Sequence, residues 1–435
     1  MNLLIVVSNY PHAAHPYSGA FNERSACALR ELGHQVQVLA PRPYVPRSLA
    51  VCNARWRAYS QITDHEVRRG ISVYRPAYLH LPRLGGALCQ DLGAYLGCVR
   101  ELERRHEAKR YDAILAFNLV GAGGLAWRLA RRLAIPAAGW ATGNDVRLPV
   151  NSSYGRAVRS TLQRLDLVLY QSAELRERAA ALCDSVGVAL HATRHIVLPR
   201  GIEPSPPMLE AVRRRVRAKL GLREDQFLVL YVGRIVEAKG IFELVDAVAL
   251  ARQQQADIVC VLVGAHDGFD DGGALRQRLR DLPESSRHVQ LLAACRPEKV
   301  WQYFNAADIF AFPSHCEGMP NSLLEAMAAG VPSVAYAIPP VLELDNRQGA
   351  LKTVPPRDVS ELARALVELA RSAEQRRLIG AKGKERVLSH YQAKASMAEA
   401  VRQLHGLSRR GVILPPFRNR APILSMRGAH SRAGR

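Results

Sequence analysis

Short apolar runs rich in β-branched residues alternate along the chain with longer stretches whose apolar positions recur every three or four residues. "LLIVV" (3–7) opens the series; an amphipathic stretch runs from about Phe21 to Leu32, Gly33 stops it, and "QVQVLA" (35–40) follows. The next strands are "YDAILAF" (111–117), "PAAGWAT" (136–142), "LDLVLYQS" (165–172) and "HIVLPRG" (195–201), with a Gly/Ala-rich helix to about Leu133 after the first. The pattern breaks at the Pro-rich "RGIEPSPP" (200–207), and a basic helix over 208–220 follows. It restarts with "FLVLYVGR" (227–234), "DIVCVLVG" (257–264), "HVQLLAA" (288–294), "DIFAFPS" (308–314) and "PSVAY" (332–336). Strands alternating with helices predict an α/β fold with parallel sheets covered on both faces. Two Rossmann-like halves joined near 200–207 are the simplest architecture.

Length agrees with two halves, because 435 residues exceed what one core usually holds. Charge adds something new. Lys and Arg outnumber Asp and Glu by 60 to 39, a net +21, so an anionic partner is expected: nucleic acid, anionic lipid or a phosphorylated substrate. Aromatic residues are 6% and no stacking platform or zinc pattern stands out, which argues against a nucleic-acid binder. The eight cysteines are scattered without a CxxC pair and read as small buried residues of a reducing compartment. The first apolar run is five residues long with no basic region before it, a strand rather than a signal peptide. No run approaches the ~18 apolar residues that span a bilayer. The expected location is cytoplasmic, at most peripheral on the inner membrane face.

Two stretches carry candidate chemistry. In "PSHCEGMPNSLLEAMAAGVPSV" (313–334), Pro320 suits a first helical turn, and Ser322 with Glu325 reads as a capping box. Leu323, Leu324 and Met327 give apolar contacts at helical spacing, and Gly330 and Pro332 stop the helix. Glu317 and Gly318 lie before it, at a strand–loop–helix junction whose backbone N–H groups make an anion site. Two carboxylates beside an anion site fit a ligand that also carries hydroxyls, such as a sugar nucleotide. In "LYVGRIVEAKG" (230–240), Gly233 ends a strand and lets a ligand approach the backbone. Arg234 and Lys239 can clamp a diphosphate there, or they are solvated surface charges.

These stretches, with "VLVGAHDG", "FNAADIFAFPSHCEGMPNSLLEAMAAGVPSVAY" and "GALKTVPPRDVSELARAL", resemble the donor half of the retaining glycosyltransferase family four, of GT-B fold, over about residues 227–368. The N-terminal half resembles the same family more loosely, through "YSGAFNERSACALRELGHQVQVLAP" (17–41), "GNDVR" (143–147) and "LPRGIEP" (198–204). The resemblance implies an acceptor-binding domain over 1–200 and a nucleotide-sugar donor domain over 208–373. It also implies helices crossing back over 374–407, while 408–435 reads as a basic, poorly ordered tail. Arg234 and Lys239 would neutralise the diphosphate, Glu325 would take the ribose hydroxyls, and Glu317 would meet the donor sugar. With these, Gly233, Gly264, Gly318, Met319, Asn321, Ser322 and Leu323 complete the implied donor site, the backbone N–H groups around Gly318–Leu323 holding oxygens. Glu317, Arg234 and Lys239 are the implied catalytic groups. Gly19, Thr142 and Asp145 would lie on the acceptor side, although Gly19 also reads as a turn glycine and Asp145 as a helix N-cap or turn residue.

The sequence departs from the family in three places. Thr142 stands where relatives often carry His before the Gly of "GNDV". Pro339 and Pro340 replace a Gly-Gly pair, with Glu343 retained, so that loop must take another shape. Arg200 and Glu203 stand where Asn and Asp are common. Of the histidines, His12 and His15 fall in a loop that should line the cleft; His315 near Glu317 and His390 read as surface or core residues.

The leading expectation is a metal-independent hexosyltransferase that moves a sugar from a UDP-, GDP- or similar donor to an acceptor hydroxyl with retention, in cell-surface polysaccharide or glycolipid synthesis. The nucleotide sugar is a substrate, and no cofactor or metal is expected. A glycan or lipid-linked sugar is the expected acceptor, with no nucleic-acid partner. The alternatives are a GT-B-shaped sugar-nucleotide epimerase and a basic nucleic-acid binder. The basic helix at 208–220 and the tail either dock on anionic lipid or reflect a general Arg bias.

Overall fold

The computed structural model describes residues 1–409 except 13–17, 47, 49–50, 52–53, 80–85, 189, 191–193, 255–256, 266–270 and 282–287. The first unit carries β1 (Asn2–Val7), β2 (Gln35–Leu39), β3 (Arg42–Pro43), β4 (His65–Arg68), β5 (Ile71–Tyr74), β6 (Ala77–Tyr78), β7 (Ala113–Phe117), β8 (Ala137–Ala141), β9 (Leu167–Tyr170) and β10 (His195–Val197). Eight of these form one sheet in the order β10-β9-β8-β7-β1-β2-β5-β4. β1 shows why it reads as an unbroken apolar run: Leu4 and Val6 enter one core with Leu125 and Leu129, while Leu3, Ile5 and Val7 enter another with Leu29.

The sheet is not wholly parallel. β4 pairs antiparallel with β5 around a turn at Arg69 and Gly70, both at positive φ. β4 carries no strand signal, because "HEVR" is short and charged, as suits a sheet edge.

The second unit carries β11 (Phe227–Val232), β12 (Ile258–Ala265), β13 (Val289–Ala293), β14 (Ile309–Phe312), β15 (Ser333–Tyr336) and β16 (Lys352–Val354). All six run parallel, in the order β13-β12-β11-β14-β15-β16. This is the doubly wound Rossmann order, and its direction of winding reverses between β11 and β14. The two crossovers leaving these strands go to opposite sides, so a crevice opens at their carboxyl ends. In the first sheet the same reversal falls between β1 and β7.

The chain passes between the units twice. Gly201, at φ +69°, sits so close to the second passage that a Cβ would stand 2.5 Å from the Tyr391 carbonyl oxygen. Ile202 N–H donates to that carbonyl at 2.8 Å, and Ala393 N–H returns to Ile202 O at 2.9 Å. Beyond this cross, the helix Ala393–Arg409 packs Met397, Ala400, Val401 and Leu404 into the first unit's core.

Several local expectations meet the structure here. Pro339 and Pro340 occupy the first turn of a helix, Pro339–Asp345, where their missing N–H groups cost nothing. In the basic helix Glu210–Lys219, Arg213 and Arg217 reach Asp308 at 2.5 and 2.9 Å, so two of its cations brace the fold and only its outer face remains free for lipid. The seven described cysteines carry free thiols. Cys52, His15 and the tail from 410 lie outside the described residues. Among the described residues no helix is long and apolar enough to cross a membrane.

Asp91 is the costly residue of the first core. It is 3% exposed, its Oδ1 has no hydrogen-bond partner, and Arg128 stays 3.5 Å from Oδ2. Burial pushes its carboxyl from 3.8 up to about 7. The folded chain therefore keeps a proton that the unfolded chain has lost, and Asp91 removes stability as pH rises between those two values. Asp91→Asn should flatten the fall in Tm from about pH 4 to 7 relative to wild type; parallel Tm–pH curves would contradict the assignment.

Candidate active site

The site forms where the winding reverses. After β11 the chain turns through Gly233, Arg234 and a short 3-10 turn, Glu237–Lys239. Asp271 pins this loop: its Oδ2 accepts from Glu237 N–H at 2.8 Å, and its own N–H donates to Ile235 O at 2.7 Å. Gly240, at φ +67°, then presses on the loop after β14, where a Cβ would stand 2.0 Å from the Pro313 carbonyl oxygen. His315 N–H donates to Ala238 O at 3.1 Å, which ties the two loops together.

This packing brings Lys239 Nζ to 2.5 Å from Glu317 Oε1. Arg234 is exposed and makes no ion pair among the described residues. Its carbonyl is held by the Tyr231 hydroxyl at 2.8 Å, so the backbone is fixed while the guanidinium has no partner among the described residues. Burial, then the charge of Glu317, raises the Tyr231 phenol, which stays protonated and keeps donating. Gly264, at φ +134°, ends β12 beside them, and a Cβ there would stand 2.0 Å from the Gly233 carbonyl oxygen. Two strand ends thus meet backbone to backbone.

The helix Asn321–Ala328 starts beside this loop with no side-chain cap, so the capping box expected from Ser322 and Glu325 is not made. Ser322 lies inside the helix, and Pro320 takes the N-cap position. Glu325 instead points across the cleft, to Arg24 Nη1 at 2.6 Å. Unfilled N–H groups at this helix start keep it suited to an anion. Leu323 and Met319 bury their side chains in the core, which leaves only their backbone available to a ligand. Asn321 lines a small crevice that also touches Arg24 and Arg200.

From the first unit, the "GNDVR" loop closes on Glu317 and Gly318. A Cβ on Gly318 would stand 2.2 Å from the Thr142 carbonyl oxygen. Arg147 donates to the Glu317 carbonyl at 2.7 Å and pairs with Glu174. Thr142 Oγ1 accepts from Asn118, a residue at φ +111° that opens the irregular turn after β7. Gly19 takes φ +76° as the N-cap of Ala20–Glu31 and abuts the Asn9 carbonyl, a turn position that suits glycine. Glu343 also spans the units, accepting from Ala173 N–H at 2.9 Å at the start of the helix Ala173–Asp184, a favourable place for a carboxylate.

Asp145 departs from the acceptor-side expectation. Its carboxylate is buried and accepts from the N–H groups of Leu119, Thr142 and Gly143. Burial raises it and these N–H groups oppose the rise; a carboxylate spent on three amides shapes the loop and does not reach the cleft. His315 Nε2 lies 2.8 Å from Glu243 Oε1, and its ring stacks on Tyr336.

Comparison with known proteins gives this geometry a family. Residues 212–386 match the model for glycosyl transferases group 1, and residues 19–183 match a glycosyl transferase 4-like domain. A Bacillus subtilis protein named, provisionally, as the teichuronic acid biosynthesis glycosyltransferase TuaC is 30% identical over 373 residues, 84% of this chain and 88% of its own length. The chain belongs to the group 1 glycosyl transferases. A D-inositol 3-phosphate glycosyltransferase of Corynebacterium jeikeium is 33% identical over 233 residues, 52% of this chain and 53% of its own. Among solved structures, sucrose-phosphate synthase from Thermosynechococcus elongatus superposes with a TM-score of 0.71 at 20% identity, over 94% of this chain and all of that one. Anabaena HepE in complex with UDP gives 0.68 at 18% identity, again over 94% and 100%. The fold is GT-B, as the sequence led one to expect, and the protein is a glycosyltransferase.

Sequence reasoning missed two arginines that this glycosyltransferase supplies from its other half. Arg24 and Arg147 both lie inside stretches that carry the family resemblance, but nothing local marks a surface arginine as one that crosses a cleft. In the glycosyltransferase's crevice, Gly264→Ala should cost about 1–3 kcal/mol in urea unfolding, from its φ and the collision with Gly233 together. Gly187→Ala, at φ +72° with open space around it, should cost only the backbone term of about 1–2 kcal/mol and less than Gly264→Ala; equal costs would remove the close approach from the account.

Proposed function

We propose that this glycosyltransferase moves a hexose from a nucleoside-diphosphate donor to an acceptor hydroxyl with retention of anomeric configuration, without a metal. The observation that supports the reading is that the loop carrying Arg234 and Lys239 is tied to the loop carrying Glu317, through the Lys239–Glu317 pair, just before the helix that carries Glu325. In this reading Arg234, Lys239 and the N-terminus of Asn321–Ala328 hold the diphosphate. Glu325 takes the ribose hydroxyls and Glu317 the hydroxyls of the donor sugar. The acceptor oxygen bonds to the anomeric carbon on the face from which the diphosphate departs; the electron pair of the broken bond passes to the phosphate oxygen, which takes the acceptor hydroxyl's proton. Charge grows on the diphosphate as that happens, and cations already fixed beside it lower the barrier. They supply the positive charge that a metal brings elsewhere. Gly19, Thr142 and the first sheet's reversal face the acceptor.

Uridine is the base we favour for the donor, because HepE, which shares the fold, is solved with UDP and with UDP-glucose. A cell-surface polysaccharide or its lipid-linked precursor is the acceptor class that the name of the Bacillus relative supports. The net charge of +21 supports action at an anionic membrane surface on the cytoplasmic side.

Arg234→Ala should leave Tm unchanged, since no described residue pairs with it, and lower kcat/KM by roughly a hundredfold or more. Lys239→Ala should do the same to turnover and also disturb Glu317. A normal rate per folded molecule in either variant would remove that cation from the chemistry. Proton NMR of the product should show the donor's anomeric configuration, and EDTA should leave the rate unchanged; inversion or loss of activity would overturn those parts. Vesicles with anionic lipid should pellet the protein and neutral vesicles should not, and equal pelleting would reject docking by charge.

A further inference from the structure

Arg24 stands on the helix Ala20–Glu31 of the first unit, and Glu325 lies 301 positions further along the chain, in the second. Their 2.6 Å bond is largely screened from water, with the two side chains 23% and 14% exposed. A charge-assisted bond in such a place is among the stronger polar contacts a protein makes. Arg24 has reason to hold it. Arg200, fully buried nearby, keeps its guanidinium on Asn22, Ser25 and the Phe21 carbonyl, 4.1 Å over the ring of Phe117, with no carboxylate among these partners. Burial, and then the charge of Arg24, lowers it to about 9. Two guanidiniums therefore share one side of the cleft, and Glu325 is the acid that compensates the nearer one.

We infer that Arg24 is a specificity-determining residue of the donor site, which competes with the nucleotide's ribose for Glu325. This rests on the reading of Glu325 as the ribose carboxylate. A ligand that brings only a diphosphate meets Arg234 and Lys239 and leaves the Arg24–Glu325 bond alone. A ligand that brings a pentose must replace that bond with its own hydroxyls. The contest sets how tightly a nucleoside diphosphate, with or without its sugar, is held. It also couples the donor's arrival to the position of the first unit, because the bond that breaks is one that joins the two halves.

Titration calorimetry of the full chain with UDP, GDP and inorganic pyrophosphate tests this. In Arg24→Ala, the nucleoside diphosphate that binds wild type should bind on the order of tenfold tighter, and pyrophosphate should bind as before. Arg24→Lys, which keeps the charge without the planar fork, should fall between. Donor KM should drop in Arg24→Ala in step with the nucleotide Kd. The gain should vanish in Arg24→Ala combined with Glu325→Ala. Nucleotide affinity that is unchanged or weaker in Arg24→Ala, or a change shared equally by pyrophosphate, would overturn the competition. Should Arg24→Ala fail to fold, Arg24→Gln is read by the same criteria. Glu325→Ala alone separates the two levels of the argument. If it weakens the nucleotide while Arg24→Ala changes nothing, only the competition falls; if it binds like wild type, the ribose assignment falls first.

Discussion

The structure depends on the electrostatics of one strand reversal. Between β11 and β14 the second sheet changes its direction of winding, and the loops leaving these two strands are forced together. One loop brings Arg234 and Lys239, the other Glu317 and the start of the helix that carries Glu325. Neither loop could hold its charges there alone. Gly240 must be a glycine for the first to lie on Pro313, and Asp271 must brace it from behind. Lys239 and Glu317 neutralise each other while Arg234 stays open, so the crevice keeps a net attraction for anions.

The first unit does more than cover this crevice. Arg147 holds the Glu317 carbonyl, the Thr142 carbonyl touches Gly318, Glu343 starts a helix of the opposite half, and Arg24 occupies Glu325. Both glutamates of the family stretch are therefore engaged across or beside the cleft. The two chain passages at Ile202 and Gln392 form a narrow cross, so relative rotation of the halves is concentrated in few residues. A site assembled from two halves in this way can close over its substrates and exclude water.

Much of the fold was legible because a parallel sheet buried on both faces writes long apolar runs, and these were found at every central strand except the four-residue β5. What escaped was the edge: β4 alternates charge with apolar positions, and β3, β6 and β16 are two or three residues long. The candidate site was legible on its second-unit side for a topological reason. Strands that are neighbours across the reversal place their following loops together, so two motifs about eighty positions apart could be joined by argument. Residues that reach the site from the other unit leave no such trace. Where local chemistry had two readings, the pattern could not choose. Asp145 looks the same whether it faces a ligand or three amides, and Ser322 with Glu325 looks like a cap although Glu325 has an arginine to meet.

The most direct test is a crystal structure of the full chain soaked with the nucleoside diphosphate it binds. The account predicts the diphosphate on Arg234 and Lys239 and at the start of Asn321–Ala328, with the pentose hydroxyls on Glu325 and Arg24 displaced from it. A ligand seated elsewhere, or a diphosphate in this crevice with Glu325 still bonded to Arg24 and the pentose turned away, would contradict it.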